Sequence, residues 1–288
     1  MNANPFEIES YIFLIYGSTG TGKTTLALTG EGRKAYMELD IGSLQRAASG
    51  LNIAEEDIDY HQYRLPATSL RDRGRVSTQK MGKSGLGAAT IVHSMRGWDD
   101  LSFRFRNEFC DFCESPDYTD IIVDTGSLCW ELLQSGTREA IQKNLPEDQW
   151  EKELKRLEFE EPNKQVWDMC NYAKMHGKNL IFTAMERQEW GDGNYIPGTH
   201  KPEGARDLPG YCDAVLRMTV ANKHPVAEIV KVAAGGYELL GMRLDSPTLG
   251  DLIAMFDGAA FIRRKGLPMP SPLAMASIIG WAKEAAEE

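Results

Sequence analysis

A glycine-rich turn near the start of this 288-residue chain constrains its fold more than any other feature. The stretch IYGSTGTGKTTLAL, residues 15 to 28, places the turn between an apolar run and a helix-like apolar pattern. It matches G-x-x-x-x-G-K-[ST] at its fixed positions, which are Gly17, Gly22, Lys23 and Thr24. The alternative is a turn that only happens to be rich in Gly and Thr, but such a turn would not need an apolar strand before it and a helix after it. The stretch therefore predicts a phosphate-binding loop.

Such a loop binds a polyphosphate, because its backbone N–H groups converge at the positive end of the following helix. Lys23 is expected to reach the β- and γ-phosphates of ATP and to assist their transfer. Thr24 is expected to place its hydroxyl on Mg²⁺. The expected nucleotide-binding residues are Gly17, Ser18, Thr19, Gly20, Thr21, Gly22, Lys23, Thr24 and Thr25.

Composition and charge exclude several classes of protein. No apolar run approaches the roughly 18 residues of a membrane span, so we expect no membrane partner. Five cysteines, an odd number, and the polar start MNANPFEIES predict a cytoplasmic protein. A net charge of -10 argues against a protein that coats nucleic acid with its whole surface, but it permits a local basic groove.

Cys110 and Cys113, in the stretch FCDFCE, have two possible meanings. A zinc site would need His61 or His93 to fold onto this lone C-x-x-C motif. Buried structural thiols need no further ligand, and we favour them.

Strand-like and helix-like periodicities alternate along the chain. The predicted strands are 10–16, 34–40, 119–124, 178–184, 213–220 and 227–233. The predicted helices are 23–30, 97–110, 126–134, 147–160 and 162–176. Short apolar strands between amphipathic helices predict an α/β fold, with a mostly parallel β-sheet and helices on both of its faces.

The end of the chain departs from this alternation. The stretch AAGGYE, residues 233–238, predicts a late β-hairpin, and SPLAMASIIGWAKEAAEE, residues 271–288, predicts an amphipathic helix. We therefore expect a core over residues 1–245 and a C-terminal helical extension over 246–288.

Three acids lie at the ends of predicted strands, at the edge where a nucleotide would bind. Asp124 ends IIVD and is expected to join Thr24 in the magnesium shell; it could equally be an N-cap acid, and both roles can hold at once. Glu38 and Asp40 lie in YMELDIGS, where strand alternation places both on one face. Asp40 is nearer the crevice, so we expect it to orient the attacking water, with Glu38 as the alternative and a turn-forming Asp40 as the non-catalytic interpretation.

Two segments break the rhythm of strands and helices. Residues 64–97 predict a mobile basic loop, an insertion that contains Arg71, Arg73 and Arg75. Residues 187–210 predict a second long loop, which combines aromatic and cationic residues suited to base stacking and phosphate contact. Those residues are Arg187, Trp190, Tyr195, Lys201 and Arg206. Both segments could also be plain surface loops.

The order of phosphate loop, strand ending in an acid, IIVDT and LIFTAMER resembles the RecA-type recombinase core over about residues 10–245. More narrowly, it resembles the phage nucleotide-binding AAA-domain proteins that include the fourth group of Sak-type single-strand annealing proteins. The resemblance implies a RecA-like P-loop NTPase core, a Mg²⁺-dependent and DNA-dependent ATPase, and single-strand annealing in phage-type recombination. It also implies that residues 135–150 and 187–210 bind single-stranded DNA. A phage-encoded chain would work in the host cytoplasm.

Two residues depart from that family's pattern. The family's water-orienting acid is commonly Glu, whereas this chain has Asp40, and its γ-phosphate sensor is commonly Gln or His, whereas this chain has Met185. A thioether cannot make a strong hydrogen bond, so Thr183 or Glu186 would have to replace it. These departures keep open a weakly hydrolysing nucleotide switch or motor-accessory protein. A small-molecule P-loop kinase is the other alternative.

The resemblance also implies assembly as a ring or filament, with ATP held between subunits and a single-strand binding protein as a possible partner. Lys231 and Arg243 are candidates by position for a cation that reaches the neighbour's ATP, although either could be an ordinary surface cation. The stretch FDGA, residues 256–259, matches a short Phe-x-x-Ala pattern used in recombinase self-association.

Overall fold

Nine strands form one mostly parallel sheet in the part of the chain that the computed structural model describes, residues 10–51, 53–66, 97–144, 146, 159–191, 194–233 and 239–264. The strands are β1 (Ile12–Gly17), β2 (Lys34–Glu38), β3 (Ile58–Gln62), β4 (Asp120–Asp124), β5 (Asn179–Gly191), β6 (Asn194–Pro202), β7 (Ala214–Ala221), β8 (His224–Val232) and β9 (Arg243–Asp245). The helices are α1 (Lys23–Leu28), α2 (Ser43–Ala48), α3 (Trp98–Glu114), α4 (Gly126–Asn144), α5 (Glu160–Met175), α6 (Leu208–Tyr211) and α7 (Leu249–Arg264).

The strand order is β3-β2-β4-β5-β1-β7-β8-β9, and β6 pairs with β5 outside this row. Strands β3, β2, β4, β5, β1 and β7 run parallel to their neighbours, whereas the β5–β6, β7–β8 and β8–β9 pairs are antiparallel. The parallel strands therefore end at one common edge, where ligands bind in open α/β sheets. This topology is consistent with a RecA-like core.

Helices cover both faces of the sheet, as the periodicity predicted. Alternation along β1 sends Ile12 and Leu14 into a core formed with helices α3, α4 and α5. The intervening Phe13 packs on the other face, with Leu26 of α1 and Phe256 of α7. The α/β class and the sandwich of a mostly parallel sheet between helices are confirmed.

The segment 187–210, predicted as a structureless loop, is mostly regular. Strand β5 continues to Gly191 and returns as β6, with Trp190 and Tyr195 at paired backbone positions. The prediction was wrong because β6 forms through pairing with β5, which the local Gly and Pro content does not reveal. Residues 135–144 are also regular, since α4 continues to Asn144.

The last strands form two antiparallel pairs, β7–β8 and β8–β9, so a late β-hairpin is present as predicted. Strands β7 and β8 are joined by Asn222 and Lys223, whose φ angles of 51° and 68° suit a two-residue hairpin turn. The stretch AAGGYE lies between β8 and β9, and its residues 234–238 fall outside the described residues. The same holds for the predicted tail helix, for residues 147–158 of a predicted helix, and for Arg71, Arg73 and Arg75.

Helix α7 lies in the predicted C-terminal helical extension, and it packs on the core. Phe256 is fully buried and stacks on Phe13 with ring centroids 6.1 Å apart. Tyr11 donates a 2.5 Å hydrogen bond to Asp257. Ala259 is buried as well, so the Phe-x-x-Ala pattern packs inside this chain and is not presented for self-association.

Candidate nucleotide-binding site

The phosphate loop follows β1 with the backbone that the motif requires. A Cβ atom on Gly17 would lie 2.3 Å from the carbonyl oxygen of Met218 in β7, so only glycine fits there. Gly22 precedes helix α1 with a left-handed φ of 89°. The loop therefore runs along the edge of the sheet and leads into the N-terminus of α1.

Lys23 lies over this loop. Its Nζ donates hydrogen bonds to the carbonyls of Gly17, at 3.0 Å, and Ser18, at 2.8 Å. Burial lowers the pKa of Lys23, and nearby Asp124 opposes that shift. A phosphate would offer this ammonium charged acceptors, which make stronger hydrogen bonds than neutral carbonyls.

Thr24 and Asp124 lie together, as predicted for a magnesium shell. The Thr24 hydroxyl donates to Asp124 Oδ2 at 2.9 Å. Tyr36 donates to the same oxygen and Thr183 donates to Oδ1, so three hydroxyls fix the carboxylate. A carboxylate beside a threonine hydroxyl is a donor set of the hard oxygen type that Mg²⁺ prefers. These two residues could hold the ion.

Glu38 is enclosed by donors and does not line the nucleotide cavity. It is fully buried, and it accepts hydrogen bonds from Ser43 Oγ and Leu44 N at 3.1 Å each, from Gln62 Nε2 at 2.9 Å and from the Tyr60 hydroxyl. Burial acts to raise the pKa of Glu38, but these hydrogen bonds lower it overall. Glu38 therefore anchors the start of α2 to β3, and this enclosed position argues against it as the water-orienting acid.

Asp40 has the opposite environment. Its carboxylate is exposed, lines the cavity and pairs with Arg46 Nη2 at 3.1 Å. The sequence placed Glu38 and Asp40 on one face, but the structure separates them. Of the two, only Asp40 could touch a water beside bound phosphate.

We expect Glu38→Gln to destabilise the fold. The amide presents one NH₂ group to donors that need an acceptor, which costs about 1–3 kcal/mol of unfolding free energy. Urea denaturation should show this loss, whereas Glu56→Gln, at an exposed position, should leave the midpoint nearly unchanged. Equal stability of the two variants would contradict the anchoring role.

A cavity of about 780 Å³ brings these groups together. Its walls include the phosphate loop, Asp40, Asp124 and the end of β5. The lining residues that the sequence did not indicate include Arg46, Trp130 and Gln134. Arg46 lies on the short helix α2, which periodicity did not predict, and the other two lie on the covering helix α4.

Met185 lines this cavity at the position of the expected γ-phosphate sensor, with its sulfur 4.0 Å from Thr19 Oγ1. Neither expected substitute is free to replace it. Thr183 donates to Asp124, and Glu186 accepts from Ser18 and pairs with Arg217 at 3.2 Å. Burial acts to raise the pKa of Glu186, but the Ser18 and Arg217 hydrogen bonds lower it overall.

The two candidate trans-acting cations both have partners within the chain. Lys231 Nζ donates to the carbonyls of Pro209, Gly210 and Cys212 at 2.7 to 2.9 Å, which caps the C-terminus of α6. Arg243 donates from Nε and Nη2 to Glu228 at 3.2 and 3.0 Å. The contacts of Lys231 argue against its proposed role. Arg243 remains exposed beside its acid.

The cationic residues predicted to bind DNA do not all lie together. Arg187 lines the nucleotide cavity. Lys201 lies opposite it in β6 and pairs with Glu189 at 3.0 Å. Arg206 is exposed in the connection that follows the hairpin.

The C-x-x-C pair forms no zinc site with described residues. Cys113 is buried on α3, and burial raises its pKa to about 12. His61 lies between Asp59 and Glu108, at 3.3 and 3.4 Å, and its ring contacts Phe112 edge-on. Within the described ranges no three His, Cys, Asp or Glu side chains are grouped as metal ligands, and His93 lies outside those ranges. No described helix is long and apolar enough to cross a membrane.

Comparison with known proteins gives a family match and a structural match. The AAA domain family (AAA_24) matches residues 9–238. A solved structure described as "Crystal structure of the RadB recombinase" aligns with 14% sequence identity and a TM-score of 0.44, covering 82% of this chain and 86% of that one. No curated protein sequence matches.

Proposed function

Because this chain belongs to the AAA domain family, we propose that it is an ATPase that binds and anneals single-stranded DNA in phage-type homologous recombination. One observation carries the nucleotide part: Lys23, Thr24, Asp40 and Asp124 share a single cavity at the carboxyl edge of a parallel sheet. Phosphate-binding, metal-binding and water-orienting groups are the parts that phosphoryl transfer requires.

Each group has a distinct task in this proposal. The loop N–H groups and Lys23 bind the phosphates of ATP. Thr24 and Asp124 would hold Mg²⁺, which would supply positive charge beside the phosphates. Asp40 accepts a hydrogen bond from the attacking water and so orients a lone pair of the water oxygen toward the γ-phosphate. Its exposed carboxylate can leave Arg46, since surface ion pairs are worth only about 0–1 kcal/mol.

The DNA part is supported by the β5–β6 hairpin. The same strand that lines the nucleotide cavity continues through Trp190 to Gly191, and it pairs with the strand that carries Lys201. Arg206 adds an exposed cation nearby in sequence. Arg71, Arg73 and Arg75 complete the proposed DNA contacts. The same proposal includes assembly as a ring or filament, in which Arg243 is the remaining candidate for a cation that reaches the neighbour's ATP. It also includes an interaction with a single-strand binding protein and a location in the cytoplasm.

A weakly hydrolysing nucleotide switch is the second candidate, and Met185 favours it. A thioether at the sensor position offers the γ-phosphate no strong hydrogen bond. Steady-state ATP turnover with and without single-stranded DNA separates the candidates. DNA-stimulated turnover supports the main proposal, and ATP binding with negligible turnover supports the switch. Turnover that requires a small-molecule phosphate acceptor and ignores DNA would indicate a kinase.

Replacing Arg71, Arg73 and Arg75 together with alanine should weaken single-strand binding and flatten its dependence on salt, because fewer counterions are released on association. Trp190→Ala and Tyr195→Ala should act differently. They should remove stacking worth about 1–3 kcal/mol per base and leave the salt slope nearly unchanged. Fluorescence anisotropy titrations over a range of salt concentrations give both quantities. A triple variant with wild-type affinity and slope would exclude the basic segment from the DNA contact.

A further inference from the structure

Arg187 is a cation that faces the nucleotide cavity and has no acidic partner among the described residues. It is exposed, it lines the cavity, and it makes no hydrogen bond or ion pair within the described part of the chain. The other two lining cations are both engaged: Lys23 bonds to loop carbonyls and Arg46 pairs with Asp40. A guanidinium without a counterion beside a phosphate loop is suited to an anion supplied by a ligand.

The fold fixes where Arg187 can reach. Successive residues of β5 alternate between faces, so Met185 and Arg187 share the cavity wall while Glu186 points the other way. Glu186 is held there by Ser18 of the phosphate loop and by Arg217 of β7. The backbone that carries Arg187 is therefore tied to the phosphate loop itself.

The charges around Arg187 strengthen this interpretation. Lys201 lies directly opposite in the antiparallel register, an arrangement that is unfavourable between like charges. Lys201 is compensated by Glu189 at 3.0 Å, whereas no acid in the described ranges pairs with Arg187. The uncompensated charge thus lies on the strand that lines the nucleotide cavity, not on the strand beyond it.

We propose that Arg187 contacts the γ-phosphate of ATP bound to the same chain, and that it thereby distinguishes ATP from ADP. This rests on the proposed nucleotide site. The loop N–H groups would take the inner phosphates, and the end of β5 adjoins the strand that ends in Asp124, a residue that would hold Mg²⁺. Arg187 then makes the polar contact that Met185 cannot, and it leaves the group of DNA contacts that the sequence assigned.

The test measures Kd for a non-hydrolysable ATP analogue and for ADP, both with Mg²⁺ and without DNA. Arg187→Ala should raise the Kd of the ATP analogue by about tenfold or more and leave the Kd of ADP within about twofold. The reason is that the variant loses a charge-assisted contact to the γ-phosphate alone. Arg187→Lys should recover part of the difference, because it keeps the charge and loses the fork geometry. Arg33→Ala, an exposed arginine just before β2 at the opposite edge of the sheet, is the matched control and should change neither Kd.

Three results would overturn the proposal. An equal rise in the Kd of both nucleotides would mean that Arg187 contacts the inner phosphates or the nucleoside. Unchanged nucleotide affinities, with weaker single-strand binding in the absence of nucleotide, would make it a DNA contact. Failure of the wild-type protein to bind either nucleotide would refute the proposed nucleotide site itself, and that outcome is distinguishable because it needs no variant.

Discussion

Lys23→Ala is expected to abolish nucleotide binding and leave the fold intact. Within the described part of the chain, the ammonium donates hydrogen bonds to the carbonyls of Gly17 and Ser18 alone, so no hydrogen bond to the core depends on it. Bound ATP would lose charge-assisted hydrogen bonds worth about 1.5–3 kcal/mol each, which for two contacts lowers affinity by about a hundredfold or more. Calorimetric titration with an ATP analogue measures the loss, and thermal unfolding checks the fold.

Lys164→Ala, at an exposed position on α5, is the control for removal of a lysine. It should bind the analogue as the wild type does. If Lys23→Ala retains wild-type affinity, the glycine-rich turn is not a phosphate site, and the proposed function fails with it.

Asp40→Asn is expected to bind ATP but fail to cleave it. An amide oxygen accepts a hydrogen bond from water but is a far weaker base than a carboxylate, so turnover should fall by about a hundredfold or more. Binding should change little, because the phosphates are held by the loop and Lys23. Stability should also change little, since Asp40 is exposed and its pair with Arg46 is a surface ion pair.

Pre-steady-state quench experiments at saturating ATP measure the cleavage step directly. Asp40→Glu introduces the side chain that is common in the family that the sequence resembles, and it is expected to raise the rate of ATP cleavage. Normal cleavage by Asp40→Asn, together with loss of cleavage in a folded Glu38→Gln protein, would exchange the two roles.

The sequence predicted those parts of the site that depend on neighbouring residues. The phosphate loop and the acid of IIVD are each set by a short apolar strand and the residues directly after it. The separation of Glu38 from Asp40 was not predictable in this way. Strand β2 ends at Glu38, so the alternation that placed both acids on one face no longer applies at Asp40.

Other features depend on distant partners and left no local pattern. Strand β6 contains Pro197, Gly198 and Pro202 and exists through pairing with β5. The sequence around Lys231 predicts an exposed cation on a strand, but Lys231 donates three hydrogen bonds to carbonyls about twenty residues earlier in the chain. The burial of Phe256 likewise depends on β1, at the other end of the described chain.

The place of β1 inside the sheet determines when the phosphate loop can form during synthesis. Ile12 pairs with Leu180, and Phe13 pairs with Ala214, so both neighbours of this strand emerge from the ribosome long after it does. At typical translation rates of roughly 5–20 residues per second, the glycine-rich turn waits on the order of ten seconds or longer before either edge of β1 is covered. During that interval an apolar segment with unpaired edges is open to chaperones and to other nascent chains. The nascent chain should therefore acquire nucleotide binding in a single late step, after β7 has left the exit tunnel.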